Sequence, residues 1–168
     1  PSQFDSLGIQ DLQAMYRWAE YVNMVFNGDK FGVLPFWPGK TKPQNSYHDP
    51  HGSVIEEKDN LRDLGVQISS DLTFSTHIEK VVAAATQMVG WVCRTFRRRS
   101  RTLMMTAWKS LIQSKLDYCS QLWSPSDQAN ISSLEGVARN FTSRVAGMDG
   151  LDYWERLQSL RMQSQERR

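Results

Sequence analysis

Apolar residues in the first half of the chain change their spacing twice. From Ile9 to about Val25 they recur at steps of three and four residues, as on one face of an amphipathic helix. Between Leu61 and Ile68 they alternate with polar residues, which is typical of a half-buried strand. The helical spacing returns after Asp71, so the pattern predicts a strand-bearing region between two helical ones.

The segments between the first helix and this strand are short and rich in turn residues. Residues 30–36 are predicted to form a strand that prolines end, and residues 38–43 a loop. Two short apolar stretches flank an Asp-Pro-x-Gly sequence at residues 49–52, which predicts a hairpin. The first 72 residues are therefore predicted to mix a helix with short antiparallel strands.

The rest of the chain is predicted to be helical. The helices cover about residues 73–96, 102–122 and 130–145, with a short last one from near Asp152. Thr73 or Ser75 is the predicted N-cap of the first, and Pro125 ends the second. Short loops between amphipathic helices favour an antiparallel helical bundle. The predicted fold class is α+β, divided into residues 1–72 and 73–168.

Composition narrows the class of protein. An apolar fraction of 40% and a charged fraction of 23% over 168 residues are those of a globular domain. The longest uncharged apolar run is far below the ~20 residues that span a bilayer. The N-terminus lacks an initiator Met and a secretory signal, so we expect an intracellular fragment, nuclear or cytoplasmic. Cys93 and Cys119 have no Cys or His ligand set nearby, which favours reduced, buried thiols over a zinc site.

Charge is distributed unevenly along the chain. Residues 1–79 carry 6 Lys/Arg and 11 Asp/Glu, a balance of −5, whereas residues 80–168 carry 14 and 7, a balance of +7. The densest basic segment holds Arg94, Arg97, Arg98, Arg99 and Arg101, between two predicted helices. A solvated connector is one interpretation of these arginines, and contact with the phosphates of a nucleic acid is the other.

Six short phrases, in this order, resemble the reverse transcriptases of non-LTR (LINE-type, jockey-like) retrotransposons. They are Asp11-Leu12-Gln13 with Tyr16-Arg17-Trp18-Ala19-Glu20 and Asn23-Met24; Phe26-Asn27-Gly28-Asp29-Lys30; Glu57-Lys58-Asp59 with Asp63-Leu64-Gly65-Val66 and Phe74-Ser75-Thr76-His77-Ile78; Arg94-Thr95-Phe96; Trp108-Lys109-Ser110-Leu111 with Leu116-Asp117-Tyr118-Cys119-Ser120-Gln121-Leu122-Trp123 and Pro125; and Leu151-Asp152-Tyr153-Trp154-Glu155-Arg156-Leu157. Together they cover about residues 10–168.

The resemblance implies the end of a polymerase palm followed by a thumb. In such enzymes the paired catalytic aspartates hold two Mg²⁺ ions for nucleotidyl transfer. Here Asp5 stands alone, without a second adjacent aspartate, so the fragment is expected to carry no metal and to be inactive alone. Its expected partners are the template–primer duplex and the missing N-terminal palm and fingers.

Two further residues acquire roles from this resemblance. Lys30 matches the family lysine that assists departure of pyrophosphate, although a solvated lysine after a turn is the plain alternative. Gly65 lies in the primer-grip-like strand, as a bulge, a close approach to the primer, or an ordinary strand glycine.

Trp91, Trp108, Trp123 and Trp154 are predicted to pack in the core rather than stack on bases, and Tyr118 likewise. His77 is predicted to be a polar residue of a helix start.

The sequence therefore predicts a fragment of an RNA-directed DNA polymerase. The alternatives are a non-enzymatic nucleic-acid-binding or protein-interaction domain derived from a retroelement, and a decayed remnant without a selected role.

Overall fold

A computed structural model describes residues 3–36 and 46–167, with side chains over 8–36 and 46–166. The chain divides into two compact units, Pro1–Thr73 and Phe74–Arg168. The first contains a long helix and a two-stranded antiparallel sheet, and the second is mainly helical. The predicted α+β class is confirmed. None of the described helices is long and apolar enough to cross a bilayer.

Helix α1, Gln3–Tyr21, ends at a residue suited to a left-handed backbone. Asn23 has a φ of 55°, and its N–H donates to the carbonyl of Glu20 at 3.1 Å. The N–H of Met24 donates to the carbonyl of Ala19 at 2.9 Å. These two bonds form a Schellman motif at the end of the helix. The left-handed residue of this motif is most often Gly and next most often Asn.

The predicted apolar face of α1 is only partly buried. Ala19 is 2% exposed, whereas Met15 of the same face is 52% exposed. Tyr16 packs against Phe26 and Phe31, with ring centroids 5.5 and 5.8 Å apart. This aromatic cluster anchors the helix to the segment that follows it.

The predicted strand over residues 30–36 is wrong for most of its length. Gly28–Lys30 is a short 3-10 helix, and the side chain of Asn27 caps it by accepting a backbone N–H at 3.0 Å. Val33 forms an isolated bridge only. Pro35 has no N–H to donate, which prevents a longer ladder here.

The predicted hairpin around residues 49–52 is present as a tight turn. His48 and Val54 form an isolated antiparallel bridge across it. The carboxylate of Asp49 accepts two backbone N–H groups of the turn, at 2.9 and 2.8 Å. This side chain thus replaces ladder bonds that the short hairpin lacks. The predicted loop at residues 38–43 lies outside the described residues.

The single strand predicted over residues 61–68 is instead two strands. Strand β1, Asn60–Asp63, pairs antiparallel with strand β2, Val66–Ser69. Leu64 and Gly65 form the turn, with φ of 44° and 92°. Positive φ at both residues indicates a two-residue hairpin turn of the type I′ class. Because the turn has two residues, the alternation of apolar and polar positions continues through it. The alternation therefore does not mark where the strand reverses direction.

Two long helices build the core of the second unit. Helix α2, Ser75–Thr95, packs along helix α6, Gln128–Thr142. Both bury an apolar face. The fully buried residues include Ile78, Ala85, Val89 and Val92 of α2 and Val137, Ala138 and Phe141 of α6.

Neither predicted cap residue caps α2. Phe74 occupies the N-cap position without a side-chain hydrogen bond. The hydroxyl and N–H of Thr73 bind the carboxylate of Asp71, and the hydroxyl of Ser75 accepts from the amide of Asn130 at 3.1 Å. The two candidates therefore serve a turn and a helix contact.

The helix predicted over residues 102–122 is interrupted twice. Helix α3, Arg101–Ala107, continues through a π-helical segment, Trp108–Gln113, into helix α4, Ser114–Asp117. Cys119 then adopts a left-handed backbone with φ of 52° and breaks the helix before the short helix α5, Ser120–Trp123. The indole N–H of Trp123 donates to the carbonyl of Tyr118 at 2.8 Å and stabilises this break.

The last helix begins where the sequence predicts. Helix α7, Tyr153–Leu160, starts from a capping box in which Asp152 and Glu155 bind each other's backbone N–H at 2.8 Å. Before it, Gly147 and Gly150 both have φ of 80°, which confirms the predicted turn. Helix α6 is capped by Asp127.

Candidate nucleic-acid interface

The five arginines lie where α2 ends and α3 begins. Phe96 leaves the helix with an extended backbone, φ −102° and ψ 101°, while its N–H still donates to the carbonyl of Val92 at 3.0 Å. Ser100 is also extended, and α3 starts at Arg101. We call residues 94–101 the arginine connector, because it joins the two helices and carries all five cations.

Two arginines of the connector make internal contacts. A guanidinium N–H of Arg99 donates to the carbonyl of Cys93 at 3.3 Å, and the carbonyl of Arg99 accepts from Ala146 at 2.9 Å. Arg99 is accordingly half-buried. Arg101 reaches the hydroxyl of Ser159 on α7 at 3.4 Å. Arg99 therefore holds the connector against the unit, and Arg101 links α3 to α7.

Arg94 folds back along its own helix. A Cβ built on Gly90 would lie 3.3 Å from a guanidinium nitrogen of Arg94, so this side chain covers the glycine one turn earlier. Cations near a helix C-terminus are favoured by the partial negative charge of the last carbonyls. Arg94 and Arg99 thus have a structural reason to be basic.

Arg97 and Arg98 are the two connector arginines without such a role. Both are exposed. Among the described residues, no ion pair joins a carboxylate to the connector. The second unit also carries 14 Lys/Arg against 8 Asp/Glu over residues 74–168. Two adjacent, exposed guanidinium groups on a basic unit form a suitable surface for phosphate groups.

Lys30 and Gly65, the other predicted site residues, belong to the first unit. Lys30 is exposed and is the last residue of the 3-10 helix. Gly65 is exposed at the tip of the β1–β2 hairpin, so the bulge and strand interpretations of this residue are wrong. Its φ of 92° is a backbone requirement of the turn and accounts for the glycine by itself.

The described residues contain no group of three or more His, Cys, Asp or Glu side chains placed to hold a metal ion. Asp5, the lone aspartate discussed above, lies in α1, and its side chain is outside the described ones. Cys93 is buried, Cys119 is half-buried, and both are free thiols.

The second unit contains a buried carboxylate that the sequence pattern did not predict. Glu135 of α6 is 7% exposed and accepts hydrogen bonds from the hydroxyl of Tyr153 and from the backbone N–H of Gln165, the latter at 2.6 Å. The guanidinium of Arg139 lies 4.5 Å from the centre of the Tyr153 ring. Burial, followed by the bond to Glu135, raises the pKa of Tyr153. In the sequence, the burial of Glu135 is indicated only by its position beside Leu134 and near Val137 in the apolar stripe of α6.

The predicted aromatic packing holds for two of the four tryptophans. Trp108 and Trp123 are each 2% exposed, but Trp91 and Trp154 are 46% and 57% exposed. Tyr118 is 54% exposed, so its predicted core position is wrong too. Spacing alone assigns rings at the edge of an amphipathic stripe to the core, whereas these three side chains remain about half exposed.

His77 lies in the first turn of α2, near the helix start as predicted, but its side chain is buried in the second unit. It is 5% exposed, and its ring meets that of Trp123 edge-on with centroids 5.3 Å apart. Burial, and to a smaller extent the charge of Lys80, lowers the pKa of His77. A buried imidazole of this kind is a packing residue.

Comparisons with known proteins found no match to a protein-family model, to a curated protein or to a solved structure.

Proposed function

We propose that this chain is the palm-to-thumb part of a non-LTR retrotransposon reverse transcriptase and that its second unit holds the template–primer duplex by phosphate contacts. The six phrases of resemblance support the assignment. The helices of the second unit are compatible with a thumb-like bundle, and the β1–β2 hairpin with a primer grip.

The observation that carries the proposal is the pair Arg97 and Arg98. Both are exposed on a connector whose other arginines make local contacts. Adjacent like charges repel each other, so this pair is unfavourable for the isolated connector. Neutralisation by the phosphates of a duplex removes this repulsion and releases condensed counterions.

The parent enzyme requires Mg²⁺ for nucleotidyl transfer, and this fragment alone is proposed to be inactive. Lys30 is proposed as an accessory cation for the nucleotide phosphates in the complete polymerase. Gly65 is proposed to approach the primer at the hairpin tip. The chain would therefore bind the nucleic acid, while chemistry requires the N-terminal palm and fingers.

Duplex binding measured at several salt concentrations tests the proposal. If about three to five phosphates are contacted, the logarithm of the affinity should fall with the logarithm of salt concentration at a slope of roughly −3 to −5. Changing Arg97→Gln together with Arg98→Gln should flatten this slope by about 2 units. Helical content should not change, because both side chains are exposed.

A matched control is Lys80→Gln with Lys115→Gln. Lys80 precedes Arg94 by 14 residues on α2, and Lys115 follows Arg101 by the same number, which places each roughly 20 Å along its helix. This control removes the same charge away from the connector. If both double variants flatten the slope equally, net charge rather than the connector binds the duplex, and the proposal fails.

A protein-interaction role is the second candidate, and one observation favours it. The first unit exposes several large apolar side chains, with Trp18 at 55%, Tyr21 at 89% and Val25 at 97%. The three residues lie within eight positions of one another in the chain, and a contiguous exposed apolar patch is unusual on a free surface. Self-association in analytical ultracentrifugation that Trp18→Ser abolishes, combined with duplex binding that ignores the connector variants, would favour this candidate.

A further inference from the structure

A second basic locus lies in the second unit, outside the arginine connector. A cavity of about 190 Å³ opens between the π-helical segment and the stretch that follows α7. Lys109 lines it from the π-helical segment and Arg161 from the end of α7. The two residues are 52 positions apart, so no sequence pattern connects them.

The lining of this cavity suits an anion. Besides the two cationic residues, Gln113, Gln163 and Gln165 line it, and its lining includes no Asp or Glu. Two carboxylates outside the lining bind these glutamines: Asp117 accepts from the side-chain amide of Gln113 at 3.1 Å, and Glu135 accepts from the backbone N–H of Gln165 at 2.6 Å. The volume corresponds to about six water molecules at ~30 Å³ each, enough for one phosphate group with part of its hydration.

Arg161 occupies a position where glycine is the ordinary residue. Its φ is 54°, and its N–H donates to the carbonyl of Gln158 at 3.1 Å. The N–H of Met162 donates to the carbonyl of Leu157 at 2.9 Å. These bonds form a Schellman motif, whose left-handed residue is usually Gly and sometimes Asn. Arg161 thus adopts a backbone conformation that is unfavourable for a residue with a Cβ atom.

Lys109 follows the last arginine of the connector along one helical stretch. Arg101, Met105 and Lys109 follow one another at four-residue steps, and Met105 lines the cavity beside Lys109. Eight residues correspond to about 12 Å along a helix. Successive phosphates of one strand advance about 3.4 Å along the duplex axis. Along a duplex strand parallel to this helical stretch, the same length spans about three phosphates.

We infer that the cavity bounded by Lys109 and Arg161 is a phosphate-binding pocket. The phosphate belongs either to the nucleic-acid backbone or to a free phosphate compound. The backbone source rests on the proposed function, whereas the pocket itself does not. Lys109 and Arg161 supply the charge, and the amides of Gln163 and Gln165 supply neutral donors.

The test uses the full chain and two probes, inorganic pyrophosphate and a short DNA duplex. The variants are Lys109→Gln and Arg161→Gly, and Lys115→Gln is the matched control from the same helical stretch. Losing one phosphate contact should flatten the salt slope by about 0.9, which is about an eightfold loss of affinity at 0.1 M salt. Arg161→Gly should not lower the thermal midpoint, because glycine suits the left-handed position. Lys109→Gln changes an exposed side chain and guards against a folding artefact.

Each outcome has a defined meaning. Weaker binding of both probes by both variants supports the pocket with a backbone phosphate as its ligand. Weaker binding of pyrophosphate alone supports the pocket with a free phosphate compound as its ligand. Unchanged binding of both probes, or equal loss in Lys115→Gln, overturns the inference. Failure of the connector variants Arg97→Gln and Arg98→Gln to affect duplex binding would defeat the proposed function without touching the pyrophosphate result.

Discussion

Removal of the Tyr153 hydroxyl should destabilise the second unit. In Tyr153→Phe the buried carboxylate of Glu135 loses its hydroxyl donor and keeps the N–H of Gln165 at 2.6 Å. A hydrogen bond to a charged buried group contributes about 1.5 to 3 kcal/mol. The ring and its contact with Arg139 remain, so packing should change little. We expect the free energy of unfolding to fall by about 2 kcal/mol at pH 7.

The pH dependence provides a second signature of the buried hydroxyl, because burial first and the bond to Glu135 second raise the pKa of Tyr153. The pKa of Tyr153 is raised above its ordinary value of 10.0, so the folded unit keeps this proton at a pH where the unfolded chain releases it. The unfolded chain then binds fewer protons, and stability must fall as the pH rises above about 10. For one group this slope is about 1.4 kcal/mol per pH unit. Tyr153→Phe should remove this contribution.

Chemical denaturation of wild type, Tyr153→Phe and Tyr21→Phe, each between pH 7 and 11, measures both quantities. Tyr21 is 89% exposed and serves as the control that loses a hydroxyl without a buried partner. For a unit of this size about 2 kcal/mol corresponds to roughly 10 °C in the thermal midpoint. If Tyr153→Phe lowers the free energy of unfolding by less than about 0.5 kcal/mol, or leaves the alkaline slope of stability unchanged, the Tyr153 hydroxyl does not stabilise this buried site.

Four other outcomes follow from the structure and its proposed role. Phe141→Ala removes a fully buried ring that packs on Trp108 with centroids 4.9 Å apart. The free energy of unfolding, measured by urea titration, should fall by about 3 to 5 kcal/mol, and a loss under about 1.5 kcal/mol would contradict this packing. Arg99→Gln should lower stability by about 1 kcal/mol through the lost bond to Cys93, with an unchanged salt slope for duplex binding, whereas a slope change near one unit would assign Arg99 to the phosphates. Cys119→Gly should raise stability by about 0.5 kcal/mol, since φ is 52° there, and a loss above 1 kcal/mol would argue against the helix break. The purified chain should extend no primer with Mg²⁺ or Mn²⁺, and extension that survives Asp5→Asn would refute the assignment of an incomplete active site.

Local signals located most of the helices. The three-and-four spacing of apolar residues predicted α1, α2, α6 and the α3–α4 stretch, because a helix buries one face at that period. Asp152 and the glycines at 147 and 150 predicted the start of α7 and the turn before it. These features depend on contacts within a few residues, which the order of amino acids contains directly.

The strand region was less predictable, because alternation does not mark where a strand turns back. Leu64 continues the apolar pattern, yet it is 85% exposed at the hairpin tip. Residues 30–36 have strand composition, but Lys30 belongs to the 3-10 helix that Asn27 caps. Within this stretch only Val33 forms a β-bridge. Strand formation requires a neighbour from elsewhere in the chain, and composition does not provide one.

Some features of the candidate site also follow from the sequence, and others depend on the tertiary structure. The sequence alone located the five arginines and their position between two helices, since both follow from composition and periodicity. Only the tertiary structure separated Arg99, which binds the end of α2, from Arg97 and Arg98, which face solvent. It likewise placed Lys109 beside Arg161 and buried Glu135 against Tyr153. Glu135 and Tyr153 are 18 positions apart and Lys109 and Arg161 are 52, and chain packing rather than local preference determines which such residues meet.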